Sequence, residues 1–335
     1  MEQEKKKITI VDVAKQAGVS KTTISRYLNG KYEYMSAESR QRIAAVIADL
    51  GYRPNNLARS LKSKQSRMLG VVVSDITSPF SPIILKGISD CCERYGYRIL
   101  IANSDDDPQK EQEYILSMID QRVDGIILNT AGGNTEFLKS LRQTNVPFVL
   151  ADRPLEEPLF DTVRTADGAI IADVLDYFQD QDYACVGFFM EQLTNSTRLH
   201  RAQAFSEAYP KRFGKAAKIY YLGKEADDKE CMRRFLADSE GMKRAIFTSN
   251  GVVTMRIIKV MREMQLAFPK DAGVCGFDDW DWMSLVQGGL TAIAQPTYKV
   301  GRECVKRMMY RLHRSQTAPV QNIELPCSLV VRQST

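Results

Sequence analysis

From Leu69 onward, short apolar runs alternate with amphipathic stretches of 10 to 15 residues. The runs LGVVVS, YRILIA, DGIILN and PFVLA predict buried strands, because strands covered on both faces are apolar throughout. The stretches between them predict helices at 81–95, 109–121 and 134–143. Parallel strands that alternate with helices form an open, doubly wound α/β sheet.

A second α/β run begins near Thr165 and predicts a second lobe. Its predicted helices are 167–179, 197–209, 228–237 and 251–265, and its predicted strands are 184–189, 218–222, 244–249 and 273–277. The chain then continues with the strand TAIAQ, a helix at 297–314 and terminal strands near 321–325 and 328–332. We expect a body at 67–335, with a first lobe at about 67–165 and 295–324 and a second lobe at about 166–294 and 325–335. Ligands of open α/β sheets bind beyond the carboxyl ends of the strands, so a cleft between the lobes is the expected small-molecule site.

Residues 8–53 have a different pattern, which predicts three short helices. Thr9 and Asp12 fit a capping box, and Gly18 suits a tight turn after the first helix. Ser20 can cap a second helix, with Val19 and Ile24 placed to pack against the first. Ser36 and Gly51 bound a third helix. This spacing is typical of a helix-turn-helix, and we call residues 8–53 the head.

Charge supports a nucleic-acid role for this end of the chain. Residues 1–66 contain 13 Lys and Arg against 6 Asp and Glu, whereas the rest contains 33 basic and 35 acidic residues. A basic excess confined to a small head is what contact with DNA phosphates requires. The alternative is a solvated helical module with a basic surface.

Residues 54–66, here called the hinge, contain too little apolar surface for a stable free helix. The segment NNLARSLK could form about two turns, and only Leu57, Ala58 and Leu61 could be buried. We expect a hinge that becomes helical on DNA. A flexible linker with no binding role is the alternative.

Composition excludes several classes of function. Seven scattered cysteines without a Cys-x-x-Cys pair fit a reducing cytoplasm, and two histidines give little support to a metal site or a catalytic triad. We expect no metal and no cofactor. No secretory signal or membrane-spanning stretch is visible, which also predicts a cytoplasmic protein without membrane contact.

The motifs TIVDVAKQAGVSKTTISRYLNG and GYRPNNLARSL, with SN at 249–250 and GFDD at 276–279, resemble the LacI/GalR family of transcriptional regulators. The resemblance spans essentially the whole chain. It implies a homodimer that binds a pseudo-palindromic operator in double-stranded DNA, and a body that resembles periplasmic sugar-binding proteins. It also implies that Leu61 of the hinge inserts into the minor groove, with Ala58 beside it.

Carried over by position, three head residues are expected to read bases in the major groove: Lys21, Thr22 and Arg26. The resemblance implies that four others position the DNA backbone, namely Ser20, Thr23, Ser25 and Asn29. A simple helix surface is the alternative for Thr22 and Thr23.

For the cleft, the resemblance implies that Arg198 grips ligand hydroxyls opposite Asn250 and Asp278. Phe80 and Trp280 offer apolar faces for a sugar ring. Further candidate lining residues at strand ends are Asp75, Ser81, Asp152, Arg153 and Gln295. Alternatives stay open: Asp278 and Asp279 as turn carboxylates, Asp152 as a loop cap, and Arg153 as a surface ion pair.

Two departures from the family pattern point to the ligand. Gly251 follows Asn250 where an Asp is common, and Ala166-Asp167, preceded by Arg164, stands where Asp-Asn is frequent. Fewer acidic groups and more arginines favour an anionic ligand, which we expect to be a sugar acid. The segment YLNGKYEYMS also resembles regulators of ketodeoxygluconate use.

The sequence therefore predicts a ligand-responsive repressor of carbohydrate or sugar-acid catabolic genes that leaves DNA when a small effector enters the cleft. A regulator that depends on a co-repressor is one alternative. A two-lobed solute-binding protein without a DNA role is another, although it has no use for residues 8–62. An enzyme is not expected, because no Gly-rich phosphate loop follows the first strand and no pair of nucleophile and base is apparent.

Overall fold

The computed structural model describes residues 8–52, 65–223, 228–313 and 318–335. The chain divides into two compact units, Met1–Ser66 and Arg67–Thr335. The hinge candidates Ala58 and Leu61 lie outside the described residues.

The head contains α1 (Ile10–Gln16), α2 (Lys21–Leu28) and α3 (Ala37–Asp49). The Asp12 carboxylate accepts hydrogen bonds from the Thr9 backbone N–H at 2.8 Å and from its hydroxyl at 2.7 Å, which fixes the start of α1. Gly18 has a φ of +64° in the turn between α1 and α2, a conformation that favours glycine. The head has its own core, formed by Val13, Ala14, Ala17, Ile24 and Ile43.

The body alternates strands and helices as the apolar pattern predicts. In chain order it contains β1 (Met68–Val73), α4 (Phe80–Arg94), β2 (Arg98–Asn103), α5 (Pro108–Asp120), β3 (Gly125–Leu128), α6 (Thr135–Ser140), a 3-10 turn (Leu141–Gln143), β4 (Phe148–Ala151), β5 (Asp161–Thr165), α7 (Asp167–Asp180), β6 (Cys185–Glu191), α8 (Ser196–Phe213), β7 (Ile219–Leu222), α9 (Asp228–Asp238), β8 (Arg244–Thr248), α10 (Gly251–Glu263), β9 (Gly273–Phe277), α11 (Asp281–Leu285), β10 (Thr291–Ala294), α12 (Thr297–His313), β11 (Asn322–Leu325) and β12 (Ser328–Val330).

Two six-stranded sheets define the two lobes. The first sheet has the order β11-β5-β4-β3-β1-β2 and is parallel throughout. The second has the order β12-β10-β9-β8-β6-β7, in which β12 alone runs antiparallel. The chain crosses between the lobes three times, at 165–167, 294–297 and 325–328. The prediction of two α/β lobes is confirmed.

Three elements differ from the sequence-based expectation. β5 was not predicted, because its sequence DTVRT is polar although it lies between β4 and β11 in the sheet. The short helix α11 was not predicted either. α8 continues beyond Pro210 and ends at Gly214, whose φ of +64° provides a left-handed C-cap.

All seven cysteines are free thiols. Three of them, Cys91, Cys92 and Cys304, belong to the core of the first lobe, whereas Cys231 and Cys275 belong to cores of the second lobe. Burial raises the pKa of all five thiols, to about 12 for Cys92. These side chains are therefore small apolar core residues with little thiolate character.

Candidate functional site

The second helix of the head presents the polar face that the sequence predicts. Lys21, Thr22 and Arg26 are exposed, whereas Ile24 is completely buried. The guanidinium of Arg26 lies 5.4 Å from the ring centre of Tyr34, which is itself exposed. The two basic side chains and the threonine are thus accessible to a partner.

The other head candidates have local structural contacts. Ser20 Oγ accepts a hydrogen bond from the Thr23 backbone N–H at 3.1 Å, and the two hydroxyls are 2.9 Å apart. Asn29 Nδ2 donates to the Ser25 carbonyl at 2.7 Å. These contacts secure both ends of α2 and so fix the direction in which its exposed face points.

In the body, the structure brings all ten predicted cleft residues to a single cleft between the lobes. They follow the carboxyl ends of strands or begin the next helix, as expected for an open α/β sheet. Ten further residues line the same cleft: Ser74, Ser78, Asp106, Asn129, Glu191, Asn195, Thr197, Arg201, Ser249 and Val252.

Arg201 is the most important residue that the sequence analysis missed. It lies on α8 one turn beyond Arg198, is 5% exposed, and stacks at 3.7 Å over the ring of Phe277. Its Nε donates to Asp167 at 3.0 Å, and its Nη1 donates to the Ser249 carbonyl at 2.6 Å. A second arginine three residues after Arg198 in a helical stretch was the available signal, since residues i and i+3 share a helix face.

Arg198 and Arg153 are closer to the mouth of the cleft, and each is paired with a carboxylate. Arg198 Nη2 lies 2.5 Å from Glu191 Oε2. Arg153 Nη1 lies 2.6 Å from Asp106 Oδ1 and also donates to the Thr130 carbonyl at 2.8 Å. The ion-pair alternative for Arg153 therefore describes its contacts, although the side chain also lines the cleft.

Asn250 and Asp278 meet at the start of α10. Asn250 caps this helix by accepting from the Val253 backbone N–H at 2.8 Å, while its Nδ2 donates to Glu191 at 3.3 Å. Asp278 accepts from the Gly251 backbone N–H at 2.9 Å and from the amide of Gln295. Asp278 thereby connects the start of α10 to the crossing at 294–297.

Asp75 and Ser81 stabilise the loop after β1. The Asp75 carboxylate accepts from the backbone N–H and hydroxyl of Thr77 at 2.8 and 2.6 Å, and the Ser81 hydroxyl donates to the Asp75 carbonyl at 2.5 Å. Phe80 beside them is half-buried.

Gly251 is explained by close packing against Trp280. A Cβ atom at this position would lie 2.5 Å from the ring of Trp280, so the indole occupies the space of a side chain. Trp280 is 9% exposed as a result. The glycine is required by this close approach, and its presence does not by itself indicate an anionic ligand.

Arg164 does not line the cleft. Its guanidinium pairs with Glu324 of β11 and lies 3.0 Å from Nδ1 of His200, and it is absent from the cleft lining. The inference that Arg164 adds positive charge to the cleft is wrong. Asp167, which follows it, instead supplies the carboxylate for Arg201.

The floor of the cleft concentrates carboxylates around Arg201. Desolvation raises the pKa of Asp152 to about 6, although Arg201 and Arg153 oppose the shift, and desolvation also raises the pKa of Asp278. Asp152 has a φ of +69°, and the Thr197 hydroxyl donates to its carbonyl at 3.4 Å. Ser249 Oγ is buried in this region without a hydrogen-bond partner among the described residues.

We expect Asp152→Asn to stabilise the unliganded protein above pH 6. The folded-state pKa lies above the ordinary 3.8, so the folded state binds more protons than the unfolded state from about pH 4 to 6, and stability falls as pH rises through that window. The variant removes this loss, with a gain of about 1–3 kcal/mol at pH 7.5 and little gain at pH 4. Urea unfolding across this pH range measures the difference, and a gain that is equal at every pH would contradict the assignment.

Known proteins match both parts of the chain. Residues 9–55 match the model of the bacterial regulatory proteins of the lacI family, and residues 175–335 match the periplasmic binding protein-like domain. The transcriptional regulator KdgR of Bacillus subtilis is 37% identical over 332 residues, covering 97% of each protein. The chain belongs to the LacI family. It is a DNA-binding transcriptional regulator.

Other relatives of this LacI-family regulator agree. The transcriptional regulator PtxS of Pseudomonas putida is 34% identical, covering 99% of this chain and 97% of that protein. The ribose operon repressor of Halalkalibacterium halodurans is 30% identical, covering 98% and 97%. A Lac repressor dimer bound to operator and the anti-inducer ONPF has a TM-score of 0.85 and 23% identity, covering 98% of this chain and 99% of that one. The structural likeness confirms the helix-turn-helix head and the two-lobed body of the LacI-family fold.

The described part of this LacI-family chain contains neither a candidate metal site nor a candidate membrane-spanning helix. Within the described ranges, no group of three or more His, Cys, Asp and Glu side chains is arranged to hold a metal ion. None of the helices in the described part of the chain is long and apolar enough to cross a membrane.

Proposed function

We propose that this regulator binds a pseudo-palindromic operator as a homodimer and represses carbohydrate or sugar-acid catabolic genes until a sugar acid enters the cleft. In this proposal the head at 8–53 reads DNA, the hinge at 54–66 joins it to the partner subunit on DNA, and the body at 67–335 binds effector and dimerises. The protein acts in the cytoplasm, without a cofactor.

The composition of the cleft is the observation that carries the effector proposal. Three arginines, four side-chain amides and five carboxylates from the two lobes line it, and Phe80 and Trp280 add aromatic surface. Alternating donors and acceptors beside aromatic groups suit a polyhydroxylated ligand. Three arginines, Arg153, Arg198 and Arg201, also line the cleft, and each can form charge-assisted hydrogen bonds to a ligand carboxylate that replaces its present partner, Asp106, Glu191 or Asp167.

The DNA-binding proposal uses the exposed face of α2. Lys21, Thr22 and Arg26 would contact bases, with Arg26 as a bidentate donor to guanine. Ser20, Thr23, Ser25 and Asn29 would contact the DNA backbone, and Ala58 and Leu61 would contact the minor groove. The basic excess of residues 1–66 supports phosphate contact.

The three crossings between the lobes support a mechanism of effector release. A ligand held by both walls favours one angle between the lobes, and the paired hinges respond to that angle. A thousandfold change in operator affinity requires a coupling free energy of about 4 kcal/mol. The same coupling makes operator DNA weaken effector binding by an equal factor.

A thermal-shift scan of the full chain tests the effector class. We expect D-gluconate, D-galacturonate or 2-keto-3-deoxy-D-gluconate to raise the melting temperature, because a ligand at a hundredfold excess over its Kd contributes about 2.7 kcal/mol. D-Glucitol and D-galactose, which lack the carboxylate, are the neutral controls. The sugar acid that binds should then release the chain from an operator selected from random duplexes.

The other outcomes distinguish the alternatives. A shift with neutral sugars alone contradicts the sugar-acid effector but keeps a carbohydrate-responsive repressor. A shift with sugar phosphates alone indicates a phosphorylated metabolite. Operator binding that strengthens on addition of a protein partner, with no small-molecule shift, supports the co-repressor alternative.

A further inference from the structure

One carboxylate of the cleft already forms an ion pair with an arginine that a ligand would use. Glu191 is the last residue of β6, and its Oε2 lies 2.5 Å from Arg198 Nη2. The same oxygen accepts from Asn250 Nδ2 at 3.3 Å. All three side chains line the cleft, so a side-chain carboxylate of the protein bridges the cation and the amide at this point of the wall.

This contact neutralises the positive charge of Arg198. Its other side-chain hydrogen bonds within the described residues go to neutral groups, the Thr194 hydroxyl at 2.6 Å and the Gln192 carbonyl at 3.4 Å. Among the described residues, Glu191 supplies the one carboxylate within salt-bridge distance of Arg198. With its side chain 21% exposed, Arg198 is reachable from the cleft.

Glu191 also has a second position within reach. Its other oxygen, Oε1, lies 4.0 Å from Arg256 Nη1. Arg256 does not depend on Glu191, because it is held by Asp228 at 2.6 and 2.9 Å and donates to the Gly223 carbonyl at 3.1 Å. A small rotation of the glutamate side chain would therefore move its charge from Arg198 towards another cation.

We propose that Glu191 is an internal substitute for the effector's carboxylate. In the unliganded protein it neutralises Arg198 and holds Asn250. An incoming sugar acid places its own carboxylate on these two side chains, and Glu191 moves towards Arg256. This proposal rests on the sugar-acid effector proposed above and assigns Glu191 as the residue that the effector's carboxylate displaces from Arg198.

Electrostatics determines which ligands can displace Glu191. A hydroxyl of a neutral sugar carries no charge to replace that of Glu191, so displacing the glutamate would leave Arg198 unneutralised at a partly buried position. An anionic ligand replaces the charge and the hydrogen bonds together. A neutral sugar therefore binds with Glu191 still in place, whereas a ligand carboxylate competes with Glu191 for Arg198.

Glu191→Gln tests this competition in the full chain by calorimetric titration. The glutamine keeps the shape of the glutamate side chain and can still contact Arg198. It does not neutralise the positive charge of the arginine. We expect the Kd for D-gluconate, D-galacturonate or 2-keto-3-deoxy-D-gluconate to fall by about tenfold, because the competing charge is gone. The Kd for D-glucitol and D-galactose should change less than about twofold, since they bring no charge to Arg198.

Glu324→Gln is the matched control, because Glu324 pairs with Arg164 outside the cleft lining. It should leave all Kd values unchanged. If Glu191→Gln weakens acids and neutral sugars alike, Glu191 accepts from ligand hydroxyls directly and the substitution model is wrong. If it leaves the Kd for acids equal to that of the wild type, the model is also wrong while the effector class stands. If neither protein binds any acid, both proposals fail, whereas a gain of acid binding in the variant alone supports the role of Glu191 and contradicts the effector class.

Discussion

Asp161→Asn is expected to lower the free energy of unfolding by about 3–5 kcal/mol, because it leaves two buried cations without their counter-ion. Asp161 is 1% exposed in β5 and accepts from Arg307 Nε at 2.5 Å and from Arg311 Nε and Nη2 at 2.6 Å. Arg307 Nη2 also donates to Asp161 at 3.3 Å, and the Gln321 backbone N–H adds a fifth bond at 2.8 Å. One carboxylate therefore joins a central strand, the last long helix and the approach to β11. Urea unfolding of the full chain at pH 7 measures the effect.

Asp176→Asn is the control for this substitution. Asp176 also accepts from an arginine, Arg212 at 2.5 Å, but its side chain is 52% exposed, so we expect a loss below about 1 kcal/mol.

Burial opposes ionisation of Asp161, but the hydrogen bonds from Arg311 and Arg307 outweigh it and hold the pKa of Asp161 below the ordinary value. The stabilisation is thus present at neutral pH and is lost as pH falls through the folded-state pKa. Equal losses in the two variants would contradict the role assigned to Asp161.

Arg201→Met is expected to weaken binding of the effective sugar acid by at least about thirtyfold, since truncating one partner of a buried charged pair costs about 2–5 kcal/mol. Besides Asp167 and Ser249, Arg201 Nη2 contacts Gln295 Oε1 at 3.2 Å, so its removal loosens two of the three crossings between the lobes. Operator binding should persist in the absence of effector, because the head has a separate core. Titration of effector and a gel-shift assay on the selected operator measure the two properties.

Two companion variants keep this prediction testable. Arg212→Met removes an arginine of the same helix that pairs with Asp176 and does not line the cleft, so it should leave effector binding unchanged. Arg201→Lys keeps the positive charge among Asp152, Asp167 and Asp278, so we expect it to fold. It loses the planar guanidinium and its fixed set of N–H donors. Effector binding by the folded lysine variant within threefold of the wild type would show that the arginine geometry is dispensable.

The sequence pattern predicted the helices and strands whose formation depends on residues close by in sequence. The apolar strands and the caps at Thr9, Ser20 and Ser36 all appear, because their signals lie within a few residues. β5 was missed because the partners that allow Asp161 to be buried, Arg307 and Arg311, lie 146 and 150 residues away in sequence. No local pattern records such a pairing.

The cleft shows the same limit. Its lining could be predicted in part because strand ends converge in this fold, yet the pairing of each side chain could not. Arg164 was wrongly directed to the cleft because its partner Glu324 is 160 residues away. Gly251 was interpreted through ligand charge because its contact with Trp280 is visible only in three dimensions. Glu191 carried no signal at all, since a single glutamate after an apolar strand resembles any surface residue.

Each lobe contains buried cysteines, and the rate at which they are chemically modified reports how often that lobe opens. Buried thiols with raised pKa values react with alkylating reagents only when the surrounding core opens. Modification at Cys91, Cys92 and Cys304 reports opening of the first lobe, and modification at Cys231 and Cys275 reports opening of the second. Mass spectrometry of the unaltered chain after timed labelling therefore measures, for each lobe separately, how effector and operator change the rate of local opening.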